Sequence, residues 1–224
     1  MTIWLASGNK HKQQELNAIL KGHTLKLPAD TGIDNFNPAE TGTTFAENAL
    51  IKAETLYHIL NTTRSHEQTP VIADDSGLCI DALEGRPGIY SARYYGKESW
   101  NNNGGFIVPP NTEKLEDRQR NALLLEELAA VFTSSPNTAG RFHCRFVCAM
   151  VLFFGNERFY LAQETMEGEI VQSAAEIRGS GGFGYDPVVY IPELGRTVSE
   201  LSEEEKNKYS HRAKAGKVLA RLLS

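Results

Sequence analysis

Asp74 and Asp75 stand side by side in Ala73-Asp74-Asp75-Ser76-Gly77-Leu78, directly after the apolar run Val71-Ile72-Ala73. Two carboxylates at the exit of a buried strand repel each other and lose hydration, so a divalent cation or a shared proton is their natural compensation. Magnesium suits hard oxygen donors of this kind. Asp, Ser and Gly also favour turns, and the same residues can be read as a turn that Asp74 caps while Asp75 stays solvated. On these residues alone both readings stand.

Four other stretches carry chemistry. In Ser7-Gly8-Asn9-Lys10-His11-Lys12 a strand-like segment meets a helix start, where backbone N–H groups and the helix dipole favour an anion and Lys12 adds a charge. The P-loop spacing is absent, and Ser7 or Asn9 could simply cap the helix. Glu40-Thr41-Gly42 precedes a helical segment with Asn48 and Lys52 on neighbouring turns. Lys52 lies near the azimuth of Phe45, at the edge of an apolar stripe, from which it either snorkels to solvent or reaches into an anionic cleft. Gly179 to Pro187 formally contains G-x-G-x-x-G, but Asp186-Pro187 leads into the strand-like Val188 to Ile191, whereas a dinucleotide fingerprint opens a helix. Glycines around Phe183 and Tyr185 read either as a plain Gly-rich loop or as a backbone that lets a flat ligand approach an aromatic face. Lys206 and Ser210-His211-Arg212 read either as an ordinary basic helix start or as donors for a phosphate or an exocyclic oxygen.

The elements that must position these groups follow from periodicity. Ile3, Trp4 and Leu5 predict a strand over Thr2 to Ala6, and Leu16, Ile19 and Leu20 a helix stopped by Gly22. Thr44 and Glu47 form a capping box ahead of the stripe Phe45, Ala49, Ala53, Leu56 and Leu60, predicting a helix through Asn61. A polar connector then leads to a strand at Val71, a turn at the Asp pair, and a second short strand over Leu78 to Ile80. Residues 96 to 112, with their Asn-Gly run, read as a long loop or flap. Leu115 to Phe132 reads as a helix, and Phe142 to Phe154 as a strand with apolar even positions. Gly155-Asn156 turns that strand back into Arg158 to Gln163. Glu169 to Gln172 and Val188 to Ile191 predict further strands, and Ala213 to Leu223 a closing helix. Hairpins mixed with helices point to a mixed sheet flanked by helices.

The 224 residues, 41% hydrophobic, suit one sizeable domain. With 23 basic and 28 acidic residues the chain has no general footprint for a nucleic-acid backbone, so phosphate affinity has to be local. No apolar run approaches the ~20 residues that span a bilayer, and the N-terminus does not read as a signal sequence, so a cytoplasmic location is expected. Cys144 and Cys148 in one strand would lie roughly 13 Å apart. That is too far for a disulfide, and all three cysteines, with Cys79, are expected to be buried thiols.

Six segments taken together resemble the inosine triphosphate pyrophosphatase family of the bacterial type, over essentially the whole chain. They are Ser7 to Lys12, Glu40-Thr41-Gly42 with Phe45 and Glu47-Asn48-Ala49, Ala73 to Leu78, Pro87 to Tyr94, Gly181 to Pro187, and Ser210-His211-Arg212. The resemblance implies one α/β domain over residues 1–224, an elongated mixed β-sheet flanked by helices, in two lobes with a central nucleotide cleft. It implies a Mg2+-dependent hydrolase that converts ITP, dITP and XTP to the monophosphate and pyrophosphate, with a homodimer as the usual assembly. Ser7, Gly8, Asn9, Lys10, His11, Lys12, Lys52 and Ser76 would hold the substrate. Glu40 and Asp75 would bind the metal, and Asp75 would also take the proton of the attacking water. Phe183, Gly184, Tyr185 and Asp186 would line the base, with Lys206, His211 and Arg212 recognising its 6-oxo group. The segment from Lys97 to Thr112 is longer and more apolar than that pattern, and the resemblance assigns it no role. A related pyrophosphatase for modified pyrimidine or methylated nucleotides fits the Ser-His-Arg and Phe-Gly-Tyr-Asp segments poorly. A non-catalytic nucleotide or RNA module fits the acidic balance poorly.

Overall fold

A computed structural model describes residues 1–63, 69–101, 103–110, 113, 115–134, 143–179 and 182–223. The chain divides into two compact units. The first comprises Met1–Ser76, Val147–Thr165 and Asn207–Ser224, and the second Gly77–Phe146 and Met166–Lys206.

Seven strands form one mixed sheet in the order β2-β1-β3-β4-β5-β6-β7. They are β1 (Thr2–Leu5), β2 (Thr24–Lys26), β3 (Val71–Ile80), β4 (His143–Phe153), β5 (Phe159–Ile170), β6 (Val189–Ile191) and β7 (Arg196–Thr197). β1 runs parallel to β2 and β3, while β6 runs antiparallel to β5 and β7. The helices are α1 (Lys10–Ile19), α2 (Phe45–Thr63), α3 (Asp117–Ser134), α4 (Glu203–Tyr209) and α5 (His211–Ala220).

In the first unit the strands alternate between two cores. Ile3, Leu5, Ile72, Cys148, Met150 and Leu152 pack with Leu16 and Leu20 after and within α1, and with Ala215 and Leu219 of α5. Trp4, Val71, Ala73, Val151 and Phe153 pack on the other side with Ala49, Ala53, Leu56 and Leu60 of α2. The period-2 geometry of a strand produces this division, so α1 and α5 cover one sheet face and α2 the other. The second unit gathers Leu78, Ile80, Leu124, Leu128, Cys144, Phe146, Met166, Val189 and Val198 into its own core.

Most predicted elements are present within a few residues, including the Thr44–Glu47 box: Glu47 N–H donates to Thr44 Oγ1 at 3.1 Å, and Glu47 Oε2 accepts from Thr44 N–H at 3.2 Å. Three readings need correction. The Asp pair is not in a turn, because β3 continues without a break from Val71 to Ile80. The two strands expected over Arg158 to Gln163 and Glu169 to Gln172 are one, β5. The closing helix starts at His211 and is preceded by α4, which has too short a pattern to read. In β4 the apolar even positions from Cys144 to Leu152 are buried, and from Val147 onward the odd ones are too, since helices cover both faces. Phe142, Ser180, Gly181 and parts of the predicted loops, including Asn102 and Thr112, lie outside the described residues. All three cysteines are free and buried; burial pushes the Cys148 thiol up to about 12.

Within the 97–112 segment Trp100 and Phe106 pack back onto Tyr90 and Arg86, while Ile107 and Val108 remain exposed. Tyr90 and Phe106 stack with centroids 3.9 Å apart, Trp100 meets both edge-on, and the Arg86 guanidinium sits 5.1 Å above the Trp100 ring.

Candidate active site

Strand alternation sends Asp74 and Asp75 to opposite sheet faces. Asp74 follows Ile72 toward α1 and α5, and Asp75 follows Ala73 toward α2. Each therefore meets its own cations. The repulsion that suggested a shared ion is relieved by geometry instead.

On the first face, Lys12 Nζ bonds both Asp74 oxygens, at 2.9 and 3.0 Å. Arg212 spreads three donors: Nε to Asp74 Oδ2 at 3.2 Å, Nη1 to Glu15 Oε2 at 2.7 Å and Nη2 to Ser76 Oγ at 3.0 Å. Burial pushes the Asp74 carboxyl up, but Lys12 and Arg212, with Lys52 behind them, hold it well below the usual carboxylate range. Asp74 is thus an anion committed to the protein. Arg212 and His211 open α5, capped by Ser210, whose Oγ accepts Ala213 N–H at 3.1 Å.

On the second face, Lys52 Nζ lies 2.8 Å from Glu40 Oε1, 2.8 Å from Asp75 Oδ1 and 3.1 Å from the Asp74 carbonyl oxygen. Burial disfavours its ammonium, yet Asp75 and Asp74 outweigh that and raise its pKa. Asn48 Nδ2 donates to Asp75 Oδ2 at 3.3 Å, while Asn48 Oδ1 accepts Gly42 N–H at 2.9 Å. A Cβ on Gly42 would fall 2.6 Å from Glu47 Cβ and 2.8 Å from Asn48 Oδ1, so only glycine lets the Glu40 loop close onto α2. Burial pushes the Asp75 carboxyl up; Lys52 pulls it back and Glu40 pushes it further up, leaving it raised overall. The donor set fits magnesium, which is held by one or two carboxylates together with waters and substrate phosphates. Among the described residues no cluster of three or more His, Cys, Asp or Glu offers a full protein cage.

The Ser7 to Lys12 sextet sits at the exposed N-terminus of α1. Asn9 is the N-cap: its Oδ1 accepts His11 N–H at 2.9 Å and Lys12 N–H at 3.3 Å, and Ser7 Oγ accepts Asn9 N–H at 3.1 Å. The donors expected to be open to an anion are therefore partly taken up by the cap, which leaves Lys12 as the main cationic feature.

In the second unit, Asp186 Oδ2 accepts Phe183 N–H at 3.1 Å and binds Lys206 Nζ at 2.7 Å. Gly182, at φ +80°, leaves no room for a side chain, because a Cβ would sit 2.1 Å from Asp186 Oδ2 and 2.4 Å from Lys206 Nζ. Phe183 remains 41% exposed, while Tyr185 is buried with its hydroxyl on the Ser91 carbonyl at 2.9 Å. Two α3 residues not anticipated from sequence hold this loop. Asp117 Oδ2 accepts Gly184 N–H at 2.6 Å, and Asn121 Nδ2 donates to Gly184 O at 3.1 Å. Their i,i+4 spacing is the signal that was available. Glu15, three residues after Lys12, is the third such residue.

Buried His211 gives a stability prediction. Burial, then Arg212, lowers its pKa well below the ordinary 6.5, so the folded state keeps the imidazole neutral. Above about pH 6.5 neither state is protonated, and stability is complete; below it the unfolded chain takes up the proton first, so stability falls as pH falls. Urea midpoints should drop from pH 7.5 to 5.5, and His211→Gln should flatten that slope. An unchanged slope in the variant would place the titration elsewhere.

A mixed sheet with helices on both faces and two buried, separately paired carboxylates on one strand defines an α/β protein organised around an internal charge centre. The chain belongs to the Ham1 family, which it matches over residues 3–222. It is 44% identical to a dITP/XTP pyrophosphatase of Treponema denticola, over 96% of this chain and 94% of that one. A dITP/XTP pyrophosphatase of Halalkalibacterium halodurans is 39% identical over the full length of both. Among solved structures, a HAM1 protein from Coxiella burnetii aligns at TM-score 0.77 and 32% identity, covering 100% of this chain and 98% of that one.

Proposed function

We propose that this chain is a hydrolase that cleaves ITP, dITP and XTP between the α- and β-phosphates, releasing the monophosphate and pyrophosphate and so clearing non-standard purines from the nucleotide pool. The observation that carries the reading is the Lys52 bridge between Glu40 and Asp75, which holds two carboxylates and an ammonium together where a polyphosphate and its counter-ion would need them. The names of the relatives in Treponema and Halalkalibacterium support the same reaction.

In this reading Glu40 and Asp75 hold Mg2+, which supplies charge neutralisation on the phosphates when bound. Asp75 Oδ2, held by the longer of its two hydrogen bonds, accepts the proton of the attacking water as the anhydride bond breaks. Lys12 and Lys52, with Ser7 to His11 and Ser76, bind the phosphates; no covalent nucleophile is required. Phe183 stacks on the base, Gly184 to Asp186 shape its rim, and Lys206 and His211 donate to the 6-oxo group. Adenine would present an amino donor there and leave a donor unpaired, at a cost of about 1–3 kcal/mol. Arg212, whose donors go to Asp74, Glu15 and Ser76, acts by fixing those groups. We place the enzyme in the cytoplasm as a homodimer; no described helix is long and apolar enough to cross a membrane.

Pyrophosphate release from ITP, XTP, dUTP, GTP and ATP, with and without magnesium, tests the proposal. Metal-dependent turnover of ITP and XTP well above the other three is expected. Turnover of dUTP alone, or binding without turnover, would overturn it.

A further inference from the structure

Phe183 is mounted between two glycines, Gly182 at φ +80° and Gly184 at φ +64°. Glycine loses the most conformational freedom on ordering, so the ring is held only as firmly as the backbone on either side of it. The turn is partly closed on itself. Asp186 Oδ2 accepts Phe183 N–H, Asp186 N–H donates to Phe183 O at 3.3 Å, and Lys206 Nζ holds the same carboxylate at 2.7 Å. Gly184 is left as the pivot about which this group could swing.

α3 stops that pivot. The Asp117 carboxylate takes the Gly184 N–H and the Asn121 amide the Gly184 carbonyl, so φ and ψ of one residue are restrained together by one helix. Arg120 braces the pair. Its Nη2 donates to Asp117 Oδ1 at 3.2 Å and to the Leu115 carbonyl at 2.9 Å, and its Nη1 to the Ala92 carbonyl at 2.5 Å. Ala92 and Ser91 belong to the 3-10 turn Gly88–Arg93, whose Ser91 carbonyl accepts the Tyr185 hydroxyl and whose Ser91 Oγ accepts Leu78 N–H at 2.9 Å. The contacts therefore form a ring, from α3 to Gly184, through Tyr185 to the turn, and through Arg120 back to α3. Every member lies in the second unit. The Asp117 side chain is 51% accessible, and a half-exposed carboxylate on a glycine N–H adds little to the core; what it fixes is the loop.

We propose that Asp117, Arg120 and Asn121 are positioning residues for base recognition, holding Phe183, Asp186 and Lys206 in their binding arrangement before a nucleotide arrives. The inference rests on the proposed function, in which this loop receives the purine. It also gives a role to the Pro87 to Tyr94 segment, where Ser91 and Ala92 form the wall on which the loop leans. A loop ordered in advance removes an entropy cost from binding. Loss of the clamp therefore falls on base-dependent affinity, while the chemistry at the phosphates is left to other residues.

Steady-state hydrolysis of ITP and ATP by Asp117→Ala and Asn121→Leu tests the clamp. The first removes a half-exposed group and the second fills a similar volume without a donor, and thermal midpoints check that both fold. Each should raise KM for ITP by about 5- to 10-fold, the value of one such hydrogen bond, with kcat nearly unchanged. ATP gains stacking from the loop but none of its 6-oxo recognition, so its kcat/KM should fall less and the preference for ITP should narrow. A merely structural role would lower kcat for both nucleotides in proportion and leave KM alone. The double variant should lose little more than the worse single, because both groups act on one residue. Amide exchange at Gly184, followed by NMR without any nucleotide, should quicken in Asp117→Ala. Wild-type KM and preference in both variants, or unchanged Gly184 exchange, overturns the clamp. A wild type that does not hydrolyse ITP overturns the proposed function instead, and the exchange measurement then still decides whether α3 holds the loop.

Discussion

Asp75→Asn is expected to lower ITP turnover by about 10² to 10⁴, the contribution of a positioned general base. The amide matches the carboxylate in shape but cannot accept the proton. Its fold should persist, because Lys52 keeps Glu40 at 2.8 Å and the Asp74 carbonyl at 3.1 Å. Asp75 also lies on the α2 face, away from the Asp74 cluster, so the substitution leaves that network whole. Pyrophosphate release at saturating nucleotide and magnesium measures the loss, and the thermal midpoint separates it from unfolding. Turnover within a small factor of wild type would remove Asp75 from the proton-accepting role.

Arg212→Met leaves buried Asp74 with Lys12 as its remaining side-chain ion-pair partner and should cost about 3 kcal/mol of stability, the low end of the range for removing one member of a buried ion pair. The side chain of Asp74 is wholly inaccessible and that of Arg212 is 4% exposed, so water cannot take over. Arg212→Lys should rescue little, since one ammonium cannot reproduce a fork that serves Asp74, Glu15 and Ser76 at once. The midpoint of guanidinium unfolding at constant m-value reports the change. Breaking the exposed Arg145–Asp81 pair, with side chains 37% and 59% accessible, is the control and should cost at most about 1 kcal/mol. Equal losses in the two variants would show that the buried centre has no special weight.

α2 was legible because its information is local: Thr44 and Glu47 sit three residues apart, and the apolar stripe repeats at helical spacing. The strand through the Asp pair was not. Asp-Asp-Ser-Gly is turn-like in composition, and the groups that make it tolerable inside a strand lie 62 residues away at Lys12 and 138 away at Arg212. Tertiary partners there override local preference. β2 and β7, three and two residues long, are too short to show a period. At the candidate site, residue type and the resemblance singled out Glu40, Lys52 and Asp75, while Glu15, Asp117 and Asn121 looked like ordinary helix-surface residues because their partners are distant in sequence, Arg212 of α5 for Glu15 and the Gly184 loop for the other two.

In the ion pairs around β3, three cations, Lys12, Lys52 and Arg212, meet four carboxylates, Asp74, Asp75, Glu40 and Glu15. Among these seven groups the centre is therefore an internal salt, already neutral or slightly anionic before anything binds. A polyphosphate cannot draw on lysines that are spent in this way without setting carboxylates free, and those must find new counter-ions. Under the proposed function, occupancy by nucleotide and by a divalent cation are then linked, each strengthening the other by the same factor. The protein would behave as an ion exchanger, taking up polyphosphate and metal together and only weakly holding either alone.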